Sequence, residues 1–99
     1  MRVEFHPEAL AEFGAAAKYY ENQQIGLGGR FIGAVEAAVS HIAEAPMAWR
    51  MFEGAIRRYL TKVFPYALLY SIEPDCILII AVMHCRREPG YWRNRLTHD

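Results

Sequence analysis

The sequence predicts an α+β domain: a helical hairpin packed on one face of a small antiparallel sheet, in the order β-α-α-β-β-β. Three observations predict it. Two amphipathic helical stretches adjoin in the first half, three strand-like runs fill the second, and the links between those runs are short enough to force antiparallel neighbours. With 99 residues, one domain spanning 1–99 is expected.

Residues 2–5, RVEF, alternate as a short strand. Pro7 suits the first turn of a helix, where its missing N–H costs nothing, and Glu8 suits the positive end of the helix dipole. Leu10, Phe13, Ala17 and Tyr20 recur on one face, which predicts a helix over 7–23. Gly26, Gly28 and Gly29 break the pattern. A second helix is expected over 27–45, with Phe31, Val35, Ala38 and Ile42 facing inward and Ile32 and Val39 widening the stripe. Pro46 stops it. MAWRMF, 47–52, reads as a loop with exposed apolar side chains.

Strands are expected at 56–63, 66–73 and 76–84. Phe64-Pro65 suits a tight link between the first two, and Glu73-Pro74-Asp75-Cys76 a turn with proline at its second position. Every residue from 77 to 83 is apolar, as in an interior strand covered on both sides. The tail, 85–99, is polar and reads as irregular or a short helix. One sheet face should carry the helices; the other should be free for function.

Composition excludes several classes. Over half the residues are hydrophobic, too many for a disordered chain. Net charge is zero and the pI about 6.9, which argues against a nucleic-acid binder. The halves differ: residues 1–49 hold three basic against six acidic residues, a net −3, and residues 50–99 hold eight against five, a net +3. The second half can thus offer a basic surface to an acidic partner. Cys76 and Cys85, nine positions apart on one strand, would lie roughly 30 Å apart. An internal disulfide is not expected, which fits a reducing, cytoplasmic setting. The chain opens without a signal-peptide pattern, and ILIIAVM is far short of a membrane helix.

HCRREPGYW, 84–92, concentrates the candidate chemistry. His84 can transfer protons near neutral pH or serve as a hydrogen-bonded strand end. No metal or cofactor is expected: His84 and Cys85 point to opposite faces of a strand, and no C-x-x-C or H-x-x-x-H occurs. Arg86 and Arg87, with Arg93 and Arg95 nearby, form either a solvated basic edge or a carboxylate- or phosphate-recognising surface. Tyr91 and Trp92 can stack on bases, enter a partner's pocket or close a core. Alternation puts Arg58 and Lys62 on one strand face and Arg57 on the other. There is no G-x-S-x-G, no phosphate-cradling G-x-x-x-x-G-K and no glycosidase-type carboxylate pair.

VEFHPEALAEF, the two helices and RRYLTKVFPYALLYSIEPDCILIIAVMHCRREPGYW together resemble the RelE/ParE superfamily of type II toxin–antitoxin toxins, over roughly residues 2–93. The most specific parts are Phe64-Pro65-Tyr66, Tyr70, and the H-x-x-R-x-P of His84, Arg87 and Pro89 with Trp92 behind. The resemblance implies a helical hairpin on a sheet and a ParD-like antitoxin that holds the toxin inactive in a hetero-oligomer. Operator DNA would be met only through that antitoxin. An acidic, amphipathic antitoxin segment would meet Met47, Trp49, Met51, Phe52, Arg57 and Arg58. The sequence looks closer to the ParE-like, plasmid-stabilisation branch, which implies binding to DNA gyrase through Arg86, Arg87, Tyr91 and Trp92. The alternative is a RelE-type, ribosome-dependent mRNA endoribonuclease. Its substitute catalytic set would be Arg58, Lys62, His84, Arg87 and Tyr91, with Glu53 the only glutamate near the expected place of a base.

Overall fold

A computed structural model describes residues 1–96. The chain runs β1 (Arg2–Phe5), α1 (Pro7–Gln23), α2 (Leu27–Glu44), β2 (Arg50–Glu53), β3 (Ile56–Leu60), β4 (Tyr66–Ile72), β5 (Cys76–His84) and a short 3₁₀ turn at Arg93–Leu96. The sheet order is β1-β5-β4-β3-β2. The predicted class stands, with both helices on one side of the sheet.

Four details depart from the sequence reading. First, the sheet is mixed, because β1 pairs parallel with β5 from Arg2↔Cys76 to Phe5↔Ile79. The helical hairpin is the crossover that lets an N-terminal strand run parallel to a later one. Second, the segment read as a loop contains β2, which pairs antiparallel with β3. Its four residues are all exposed, so it carries no burial pattern to betray a strand. Third, β3 stops at Leu60 rather than 63. The Thr61 hydroxyl lies 3.0 Å from the carbonyls of Phe64 and Tyr66, and Val63 takes a left-handed φ of 73°. That conformation ends a strand and is rare for a β-branched residue. Fourth, the face expected to be free is covered by the tail.

At the start of α1 the His6 ring accepts the Glu8 N–H at 3.1 Å, a side-chain cap ahead of Pro7. On α1 the expected Phe13, Ala17 and Tyr20 pack partly buried against the core, and the stripe departs from the predicted one at one position. Ala9 and Ala16 are buried, whereas Leu10 is 56% exposed. On α2 the expected Phe31, Val35, Ala38 and Ile42 are all buried. The hairpin turn is held by Glu21, whose carboxylate accepts N–H groups from Gly26 and Gly28 at 3.0–3.1 Å. Gly28 also marks the close approach of the two helices. A Cβ there would sit 2.6 Å from the Ala17 carbonyl oxygen.

The sheet buries two cores. Against the helices, Tyr20, Phe31, Phe64 and Tyr66 pack with ring centroids 4.9–6.2 Å apart, over Leu68, Tyr70, Ile77 and Ile79. On the opposite face, Ile56, Ala67, Leu69, Ile80, Ala81 and Met83 pack beneath Trp92. The two sets alternate along β5 with one irregularity. Leu69 pairs with Ala81 but Tyr70 pairs with Ile79, so Ile80 is an extra residue in a β-bulge.

Candidate functional site

The end of β5 turns on its own backbone. The Arg87 N–H donates to the His84 carbonyl at 2.9 Å, and the Cys85 N–H donates to Pro65 at 2.8 Å. The His84 Nδ1 accepts the Arg86 N–H at 3.0 Å, which leaves the proton of the neutral ring on Nε2. The ring stands edge-on to Tyr66 at 5.2 Å. His84 thus shapes the turn, and Arg86 and Arg87 leave it exposed to solvent.

Beyond the turn, the tail folds back over the sheet. Parallel pairing with β1 ends at Ile79, so β5 has an open edge further on. Glu12 of α1 covers that edge. Its Oε1 accepts the Val82 N–H at 3.0 Å and an Arg95 N–H at 2.9 Å; its Oε2 accepts Arg95 at 2.9 Å and the Tyr91 hydroxyl at 2.6 Å. Arg95 also donates to the Ile80 carbonyl, on the bulge, at 3.0 Å. One carboxylate therefore joins helix, sheet edge and tail. Burial alone would raise the Glu12 pKa. Hydrogen bonds from Arg95, Tyr91 and Val82, with the Arg95 charge, outweigh it and hold the carboxyl below its ordinary value.

Tyr91 is fixed by this cluster. Burial, then its hydrogen bond to Glu12, pushes its pKa well up, so the phenol stays protonated at neutral pH. The Arg87 guanidinium lies 4.0 Å from the Tyr91 ring centroid and that of Arg95 5.1 Å. Glu12, Tyr19, Tyr66, His84, Arg87 and Tyr91 line a cavity of about 250 Å³ at this end of the sheet.

The expected target-facing set is thus split. Arg86 and Arg87 are at the surface. Tyr91 is half-buried and committed to Glu12. Trp92 is only 1% exposed and roofs the second core, so it is corrected from a surface residue to a core residue; an apolar sheet face needs a cover, and the tail supplies the largest side chain available.

The substitute nuclease set is not gathered either. Arg58 and Lys62 line a different cavity, about 660 Å³, with His41, Glu44, Trp49 and Arg50. Lys62 also lies outside β3. Glu53, the candidate base, is held by Arg93 through two hydrogen bonds of 2.6 and 2.8 Å.

The expected antitoxin-facing residues divide in the same way. Met47, at 74% exposure, Met51 and Phe52 present apolar surface. Arg58 stacks its guanidinium on Phe52 at 4.9 Å. Trp49 packs edge-on against Tyr59 at 4.7 Å and donates to the His41 carbonyl at 3.3 Å. Arg57 donates to the carbonyls of Met47 and Trp49 at 3.1 and 2.7 Å, so its guanidinium fixes the loop. The hydroxyl of Tyr70 anchors the same loop through Pro46 at 2.6 Å.

Glu12 and Arg95 were the residues missed as site components. One signal existed for Glu12: it sits between Ala9 and Ala16 at helical spacing, a charge inside a buried stripe that demands a partner. Arg95 gave none, being one of several arginines in a polar tail. Cys76 is buried and Cys85 exposed, both as free thiols. Among the described residues no three His, Cys, Asp or Glu converge to hold a metal, and no helix is long and apolar enough to cross a membrane.

A family profile described as the ParE toxin of the type II toxin–antitoxin system parDE matches residues 3–89. No curated protein matches the chain. Among solved structures, the chromosomal ParDE TA system from P. aeruginosa is similar, with a TM-score of 0.64 and 18% identity. The match covers 85% of this chain and 95% of that one, a likeness of fold.

Proposed function

The chain belongs to the ParE toxin family of type II toxin–antitoxin systems, and from that premise we propose that it arrests growth by binding DNA gyrase and is neutralised by a cognate antitoxin. The acting surface is the turn after β5, with Arg86 and Arg87, exposed and without an acidic partner among the described residues, as its cations. The observation that carries this reading is the commitment of Tyr91. A phenol held protonated against Glu12 is not available as a base, and Lys62 and His84 line separate cavities. In-line attack by a 2′-hydroxyl needs base, acid and phosphate-stabilising cations converging within hydrogen-bond reach. Binding needs only a shaped, charged surface. A cytoplasmic site of action goes with such a target.

Pulse labelling after induction of the chain alone tests the reading. DNA synthesis should fall before protein synthesis, and purified chain should inhibit supercoiling by gyrase. Arg86→Ala with Arg87→Ala should relieve both effects while antitoxin binding persists. An earlier fall in protein synthesis, with cleaved mRNA, would overturn the proposal in favour of the nuclease.

A further inference from the structure

β1 is an end strand of the sheet and pairs only with β5. The His6 N–H donates to the Ile79 carbonyl at 2.9 Å, so Arg2, Glu4 and His6 direct their backbone N–H and C=O groups toward β5. By strand alternation Val3 and Phe5 direct theirs outward. Among the described residues no loop backbone bonds to them. A row of unpaired backbone groups is a template for another strand.

The side chains of β1 select which strand. Val3 and Phe5 pack toward the helices. Arg2 and Glu4 are exposed on the other face, paired with each other, and Arg2 lies 3.5 Å from Asp75. Beside Phe5 a groove of about 400 Å³ opens between β1 and the helices, lined by Phe13, Val35 and Val39. Met1, 64% exposed, shares the strand parity of Val3 and Phe5. If a second copy of β1 runs antiparallel along this edge, outward-pointing residues must lie opposite one another. With Val3 opposite the partner's Phe5, Glu4 meets the partner's Glu4, and like charges directly opposite repel. With Phe5 opposite the partner's Phe5, the overlap runs into Pro7 and α1. With Val3 opposite the partner's Val3, Arg2 meets the partner's Glu4 on both sides of the two-fold axis, and Met1 lies opposite the partner's Phe5, at the mouth of the groove. Only this last register is complementary in charge along its whole length.

We propose that the β1 edge is a self-association surface: β1 pairs antiparallel with β1 of a second copy, Val3 opposite the partner's Val3, and the two sheets become one. Each Val3 N–H donates to the other's carbonyl. Each Arg2 lies across from the partner's Glu4, and each Met1 side chain enters the partner's groove beside Phe5. The two-fold axis stands normal to the sheet, so both helical hairpins lie on the same side of it. The inference stands apart from the proposed target, since it uses no residue of the turn after β5.

The test is sedimentation equilibrium of the full chain from micromolar to millimolar concentration, with amide exchange followed in parallel. A monomer–dimer equilibrium is expected, and the Val3 and Phe5 amides should slow as dimer forms. Glu4→Arg sets cations opposite cations and should weaken association about tenfold. Arg2→Glu should do the same with anions. The double variant, Arg2→Glu with Glu4→Arg, makes the strand complementary to itself again and should recover the original association. Val3→Pro removes the outward N–H on an edge where proline is tolerated. It should give a monomer with an unchanged circular dichroism spectrum. A chain that stays monomeric at millimolar concentration would overturn the proposal, and so would association that survives Val3→Pro, which would place the contact on another face. No recovery in the folded double variant would overturn it as well. Growth arrest is read in a different experiment, so the functional reading stands or falls separately.

Discussion

The two faces of the sheet are closed by different means. The helix face is sealed by two long elements that bring Phe31, Val35, Ile42 and a cluster of aromatic rings. The opposite face is sealed by a short tail that brings one tryptophan. The helices are held by area. A tail this short cannot hold itself by area alone, and ties itself down through Arg95, Glu12 and Tyr91. Where the covering element is small, a charged network takes over the task that apolar contact performs elsewhere, and the cover becomes sensitive to conditions that leave the helix face indifferent.

That contrast can be broken from either side. The largest effect is expected from Phe31→Ala, which opens a cavity among four rings and should cost about 4 kcal/mol, read from the midpoint of urea unfolding. Trp92→Ala should cost about 3 kcal/mol but act on one face only. Near-ultraviolet circular dichroism should then retain the aromatic signal of the helix side. A loss as large as that of Phe31→Ala, with both signals gone, would mean that the faces do not fold independently.

Glu12→Gln leaves the Arg95 guanidinium, only 6% exposed, with only the more distant Glu8 carboxylate at 3.9 Å as counter-charge. It should cost about 2–3 kcal/mol, and Glu12→Leu with Arg95→Met should recover much of that loss. A double variant no better than the single one would assign the effect to the Val82 and Tyr91 hydrogen bonds. The same pair sets a pH dependence. The folded-state Glu12 pKa lies below its unfolded value. Its contribution is therefore complete above the unfolded pKa of about 4.3 and is lost as pH falls through the folded one. Acid should loosen the tail first, seen as faster amide exchange at Val82 than in the β4–β5 centre. The smallest effect is expected from Arg93→Ala. Its ion pair with Glu53 is exposed, so the unfolding midpoint should not move measurably in physiological salt.

Much of the fold was legible because periodicity reports burial. The stripe of α2 and the unbroken apolar run of β5 name an inward face and an interior strand from residue type alone. β2 was not legible, since an exposed edge strand has no alternation to read. The covered second face was missed for a related reason: Trp92 sits among charges, and local polarity hid its burial. Of the site, the turn at His84 to Arg87 was visible as a cluster of residue types. Its tie to Glu12 was not, because contacts spanning some eighty residues leave no local trace. The internal hydrogen bonds of Arg57 and Tyr91 were hidden on the same ground, as each joins its polar group to another segment.

The bulge at Ile80 has a consequence for how this chain can change length. A strand that is apolar at every position does not fix its own register, since a slide by one residue still buries hydrocarbon. Here the surplus residue is stored at one point, and the inside and outside positions on either side of it keep their parity. Ile80 acts as a shim. Removing it would shorten β5 by one residue, yet Ala81, Val82 and Met83 would keep the faces they have now. The turn that carries Arg86 and Arg87 would leave the sheet on the same side, so its placement is buffered against a one-residue length change in the strand before it.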